Sequence, residues 1–128
     1  IRKSLILGGT IILELYPHSN LISSCQMSGG KYKKWDEMPE RDPWRYYLSE
    51  YEWDSKSALL THHKIFIPRQ SMNKLDIGRT EILRIYRPSE IEDLLDSCGF
   101  TMTGFFGGWN REKADESSSV NVISGVAV

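Results

Sequence analysis

Cysteine is nearly missing from this chain, with 2 in 128 residues. Cys25 and Cys98 cannot build a disulfide framework, and such sparse thiols fit a reducing, cytoplasmic setting. An excess of one charge sign is missing too, with 16 Lys plus Arg against 17 Asp plus Glu. A net charge of -1 offers no electrostatic footprint for nucleic acid or an anionic membrane surface. Long apolar runs are absent: the longest, Leu5 to Leu15, is broken by Gly8-Gly9 and Glu14, which excludes a transmembrane helix. That run is also too short for a signal peptide, and no small-residue cleavage site follows it. Neither G-x-G-x-x-G nor D/E-x-G-x-G-x-G occurs anywhere. What remains, at 40% hydrophobic and 26% charged residues, is an ordinary globular composition long enough for one modest domain.

Hydrophobic patterning then divides the chain. Thr10 to Tyr16 is β-branched and almost continuously apolar, launched by Gly8-Gly9 and stopped by Pro17, so it predicts a strand buried on both faces. From His18 to Pro43 the signal weakens. The run Lys31 to Glu37 predicts loop with a mixed, solvated charge pattern, beside at most one short helix. Arg45 to Trp53, Ala58 to Ile67 and Thr80 to Tyr86 predict a small antiparallel sheet of two or three strands. Pro88, a capping pair Ser89 and Glu92, and Ile91, Leu94, Leu95 and Cys98 at i, i+3, i+4, i+7 predict a helix that Gly99 stops. Cys98 falls on its apolar face, so both thiols are expected to be buried and structural. Phe100 to Phe106 predicts a strand, Gly107-Gly108 a turn, Arg111 to Ser119 a polar loop, and Val120 to Val128 a closing strand.

In this order, three stretches resemble the carboxyl-terminal half of class I S-adenosylmethionine-dependent methyltransferases. Leu5-Ile6-Leu7-Gly8-Gly9-Thr10-Ile11-Ile12-Leu13-Glu14 is similar to the turn entering that family's fifth strand. Ile85-Tyr86-Arg87-Pro88-Ser89-Glu90-Ile91, with Leu94-Leu95 and Cys98-Gly99-Phe100, is similar to its last helix. Phe105 to Trp109 and Val120 to Val128 are similar to its sixth and seventh strands, the seventh inserting antiparallel beside the fifth. Leu7 and Arg87 depart from the family pattern, which has proline and a capping Ser or Thr there.

The resemblance implies an α/β fold: the carboxyl-terminal part of a Rossmann-like sheet over residues 1–17 and 88–128. Residues 18–87 would be a loop plus antiparallel β insertion that forms an acceptor-binding region. It implies methyl transfer from S-adenosylmethionine to a small-molecule acceptor, with the glycine loop and acidic ribose contact supplied by the amino-terminal half of the same domain. Starting at Ile1, in mid-pattern, the chain is expected to be the tail of something longer and inactive alone. Two other readings stay open: a non-catalytic ligand- or protein-binding module built on the aromatic segment of Trp44, Tyr46, Tyr47, Tyr51 and Trp53, and a different Rossmann-type enzyme.

Ligands of open α/β sheets sit beyond the carboxyl ends of parallel strands. This puts Tyr16, His18 and Trp109 at the candidate acceptor edge. His18 is either the base that deprotonates an acceptor or a plain loop histidine. Tyr16 and Trp109 either wall the acceptor or simply pack. Arg84 either binds an anionic acceptor or pairs with Glu81, Glu50 or Glu52. No metal is expected, because His62 and His63 are adjacent on a strand and point to opposite faces.

Overall fold

Gly8, at a φ of 78° that disfavours side chains, turns the chain into strand β1 (Thr10–Leu15). The computed structural model describes residues 2–70 and 76–128. It divides into two units, Ile1–Ser19 with Tyr86–Val128 and Asn20–Ile85.

The first unit holds β1, helix α2 (Pro88–Ser97) and strands β6 (Phe100–Phe106) and β7 (Asn121–Ala127). Its sheet runs β1-β7-β6, with β7 antiparallel to both neighbours, so β1 and β6 point the same way. The register pairs Leu13 with Ile123 on one side of β7 and Phe105 with Ile123 on the other. Ile91 and Leu95 of α2 pack with Phe100, Ile123 and Ala127 to form the core, and Ile11, Leu13 and Leu15 close on it. The helix begins where Glu90 accepts the backbone N–H of Arg87 at 2.8 Å, not at a Ser89–Glu92 pair. It ends at Gly99, with φ 78°.

Three expectations need correction here. β1 is buried on one face only: Ile11, Leu13 and Leu15 turn inward, while Thr10, Ile12 and Glu14 are exposed, Ile12 by 57%. Cys98 is exposed, as is Leu94, because only Ile91 and Leu95 reach the sheet. These residues instead border an apolar groove of about 720 Å³ between α2 and β1, lined also by Tyr86 and Phe100.

The second unit opens with helix α1 (Ser19–Met27) and continues as a four-stranded antiparallel sheet in the order β2-β3-β4-β5. Its strands are β2 (Lys31–Glu37), β3 (Trp44–Asp54), β4 (Leu59–Pro68) and β5 (Asp76–Arg84). The lysine-rich run is thus an edge strand rather than loop. Its charges sit opposite charges on β3, and Lys31–Glu52 (3.1 Å) and Lys33–Glu50 (2.6 Å) are ion pairs that a period-2 hydrophobic reading cannot detect. Lysines on an edge strand also discourage pairing with other chains. The core of this unit is Cys25, Tyr51 and Leu60, with Leu21, Tyr32 and Trp53 against it.

His62 and His63 do point to opposite faces. His62 is 8% exposed, stacked on Tyr51 at 4.1 Å and bonded through Nε2 to Ser49 Oγ and the Tyr47 hydroxyl. His63 meets Thr80 Oγ1 at 2.9 Å. Among the described residues no group of His, Cys, Asp and Glu could hold a metal ion, and no helix is long and apolar enough to cross a membrane.

Arg69 ties the β2–β3 connection to the end of β4. Its guanidinium donates to the carbonyls of Met38 (2.5 Å), Pro39 (2.9 Å) and Asp42 (3.1 Å). Hydrogen bonds to charged groups contribute about 1.5–3 kcal/mol net when shielded, and less where, as here, they are partly exposed. Arg69→Ala is expected to cost about 2 kcal/mol in urea unfolding, while Arg41→Ala, on the same loop, should cost under about 0.5. Equal effects from the two substitutions would remove Arg69 from this role.

Candidate functional site

Because β1 and β6 are parallel, both chains leave the sheet at one edge, and the residues that follow them meet there. The central group is Glu14, on the outward face of β1 two residues before Tyr16. The Tyr16 hydroxyl donates to Glu14 Oε1 at 2.6 Å, and Trp109 Nε1, from the turn after β6, donates to Glu14 Oε2 at 2.6 Å. One carboxylate therefore links the ends of two strands 95 residues apart in sequence. These two bonds hold the Glu14 carboxyl below the usual carboxylate range, and the same contact raises the Tyr16 phenol. Glu14 stays ionised and Tyr16 stays a donor at neutral pH.

His18 follows through Pro17. Its ring lies 6.2 Å from that of Tyr16, tilted by 40°. Its φ of 53° places it in the left-handed region, which non-glycine residues seldom occupy and which clusters at ligand sites. Partial burial pushes the imidazole below the ordinary histidine value. It is therefore neutral at pH 7 and has a nitrogen lone pair with which to accept a proton.

The structure thus brings Tyr16 and Trp109 together on Glu14, with His18 beside the Tyr16 ring. Arg84 belongs to the second unit, where it lies on β5 and its guanidinium donates to the carbonyl of Ser57. Of the carboxylates weighed as its partners, Glu81 holds Lys64 at 2.6 Å, and Glu50 and Glu52 hold Lys33 and Lys31. Glu14 itself escapes a reading that seeks histidines and aromatic residues at strand ends. The signal was its i, i+2 spacing to Tyr16, which puts both on one face of a strand.

S-adenosylmethionine, the cofactor that the sequence resemblance implies, needs backbone that approaches it closely, and hence glycine at a strand end. Gly107 and Gly108 follow β6, but a Cβ on Gly107 would lie 2.5 Å from Ser118 Oγ, and one on Gly108 2.4 Å from Glu112 Oε2. The chain's own loop fills the space in front of both glycines. The other parallel strand, β1, leads into Tyr16, Pro17 and His18. These residues form no glycine cradle for the cofactor; what they do form is one carboxylate bonded to two aromatic side chains, with the His18 ring beside Tyr16.

No protein-family model and no curated protein matches this sequence. Solved structures do. The CcbJ methyltransferase from Streptomyces caelestis superposes with a TM-score of 0.75 at 18% identity, over 99% of this chain and 50% of that one. An S-adenosylmethionine-dependent methyltransferase from Clostridium acetobutylicum gives 0.70 at 14% identity, over 98% and 47%. CalS10 with S-adenosylmethionine bound, an amino pentose methyltransferase from Micromonospora echinaspora involved in calicheamicin biosynthesis, gives 0.62 at 11% identity, over 99% and 47%. The chain spans about half the length of the structures it matches. Across that half, its mixed α/β fold is one shared with S-adenosylmethionine-dependent methyltransferases.

Proposed function

We propose that this chain is the carboxyl-terminal portion of an S-adenosylmethionine-dependent methyltransferase and supplies the acceptor-binding edge for a small molecule. The observation that carries the reading is the β1-β7-β6 order, with the Glu14, Tyr16, His18 and Trp109 cluster at the carboxyl ends of its two parallel strands. Tyr16 and Trp109 wall the acceptor and Glu14 fixes their orientation. His18 accepts the acceptor's proton. The cofactor is held by the amino-terminal half of the same domain, which is the chain's principal partner. Alone, the chain binds no cofactor and transfers no methyl group. A cytoplasmic setting suits its two unpaired thiols.

Calorimetric titration tests this. The purified chain should give no binding heat with S-adenosylmethionine at about 100 times a micromolar Kd, a concentration at which micromolar affinity would saturate. The same chain, extended at its amino end by the residues its coding sequence places there, should bind with micromolar affinity and methylate an acceptor. Micromolar binding by the 128-residue chain would show that it carries a cofactor site of its own. An extended protein that binds a ligand but never S-adenosylmethionine would favour the non-catalytic binding module.

A further inference from the structure

Glu14 differs from the other acidic residues that carry charged partners. Glu50, Glu52, Glu81 and Asp36 each hold a lysine, at 2.6 to 3.2 Å. Glu14 has only two neutral donors, Tyr16 and Trp109, and no cationic side chain of the described residues lies against it. A carboxylate has roughly four lone-pair sites, of which these bonds use two. The remaining two face the same solvent as the rings of Tyr16 and Trp109, which are 57% and 61% exposed. A full negative charge without a counter-ion, set between two exposed aromatic rings, is the arrangement that attracts an organic cation. Charge attraction favours the cation, and the exposed rings beside the carboxylate offer apolar surface to its alkyl part. An anion would be repelled, and a neutral hydroxyl would gain a hydrogen bond to the carboxylate but no charge–charge attraction.

We propose that Glu14, Tyr16 and Trp109 bind the protonated amine of an amine-bearing acceptor. This rests on reading the cluster as the acceptor edge. The ammonium nitrogen docks on Glu14 between the rings. One of its protons then passes to the neutral imidazole of His18, leaving an amine lone pair on the acceptor and an imidazolium on His18. The depressed basicity of His18 keeps the imidazole unprotonated and ready at neutral pH. It also makes His18 a weaker base than an ordinary amine, so the transfer is uphill and is completed only when the lone pair is consumed.

The experiment needs neither cofactor nor turnover, so its failure and that of the methyltransferase reading are separable. The Trp109 indole N–H is followed by ¹⁵N–¹H NMR of the full chain, its signal identified by its loss in Trp109→Phe. The probe is n-butylammonium chloride, with n-butanol as the neutral comparator and sodium chloride matching ionic strength. The expected result is a saturable shift with butylammonium, little with butanol, and affinity at least tenfold weaker in Glu14→Gln. If Glu14→Gln does not fold, the wild-type salt series decides: butylammonium affinity should fall several-fold as sodium chloride rises. Equal responses to butanol and butylammonium, no saturable shift, or salt-independent binding would each overturn the proposal.

Discussion

Replacing His18 by asparagine in the complete enzyme is expected to lower kcat for the acceptor by about 10²-fold or more, with affinity for S-adenosylmethionine unchanged. Asparagine is the informative substitution because it tolerates the left-handed backbone at this position, φ 53°, and cannot act as a base at neutral pH. General base catalysis typically contributes 10²–10⁴-fold. The pH profile separates a proton acceptor from a packing residue. Burial lowers the histidine's pKa, so the imidazole loses its proton, and turnover rises, at a pH below that of an exposed histidine. The wild-type rate should climb through a limb below about pH 6.5 and level off above it, and that limb should vanish in the variant. Trp109→Ala should act differently, raising acceptor KM with a smaller effect on kcat, because it removes a wall of the site. Wild-type turnover and an unchanged pH profile in His18→Asn would take His18 out of the chemistry.

The sequence was most legible where side-chain period and punctuation agree. Ile91 and Leu95, bracketed by Pro88 and Gly99, could only be one turn apart on a helix face, and they form the core contact of α2. Leu94 and Cys98 satisfied the same pattern yet lie at the groove, because the face that a sequence displays is wider than the face a three-stranded sheet covers. Helix α1 and strand β2 were hidden for opposite reasons. Over Ser19–Met27 only Leu21 and Cys25 pack against the core, which leaves too few apolar positions for a helical period to stand out. Over Lys31–Glu37 the strand is stabilised by cross-strand ion pairs and backbone bonds, so its sequence carries charge where a strand search looks for valine.

The site was legible in its edge but not in its centre. Knowing which way β1 and β6 run is enough to put Tyr16, His18 and Trp109 at one edge of the sheet. It does not identify what holds them. Glu14 sits inside an apolar run and looks like a lapse in the pattern. Once β1 proves to be buried on one face only, its outward carboxylate becomes available to both aromatic donors. The same one-sidedness explains Ile12, exposed on the strand's outer face. Continuous hydrophobicity and actual burial diverge in this strand, and the residue proposed to centre the site lies where they diverge.

The largest stability effect is expected at Ile123. It is 1% exposed, lies in the middle strand of the β1-β7-β6 sheet, and is flanked by Leu13 and Phe105 in register. Ile123→Ala removes three carbons from a site closed on both sides by neighbouring strands and from above by α2, where little can collapse to fill the space. Substitutions of this kind cost about 2–5 kcal/mol. In an isolated domain of total stability about 5–15 kcal/mol, a cost at the upper end approaches global unfolding. Leu94→Ala, on the apolar side of α2 but beyond the sheet's reach, provides the contrast. Leu94 is 49% exposed at the rim of the groove, so in this chain its truncation should cost about 1 kcal/mol or less. Urea unfolding of the two variants, read by circular dichroism, checks both: Ile123→Ala should lower the midpoint several times more than Leu94→Ala, at equal slope. Equal losses would mean that Leu94 is as closely packed as Ile123, and that the groove between α2 and β1 is closed in solution.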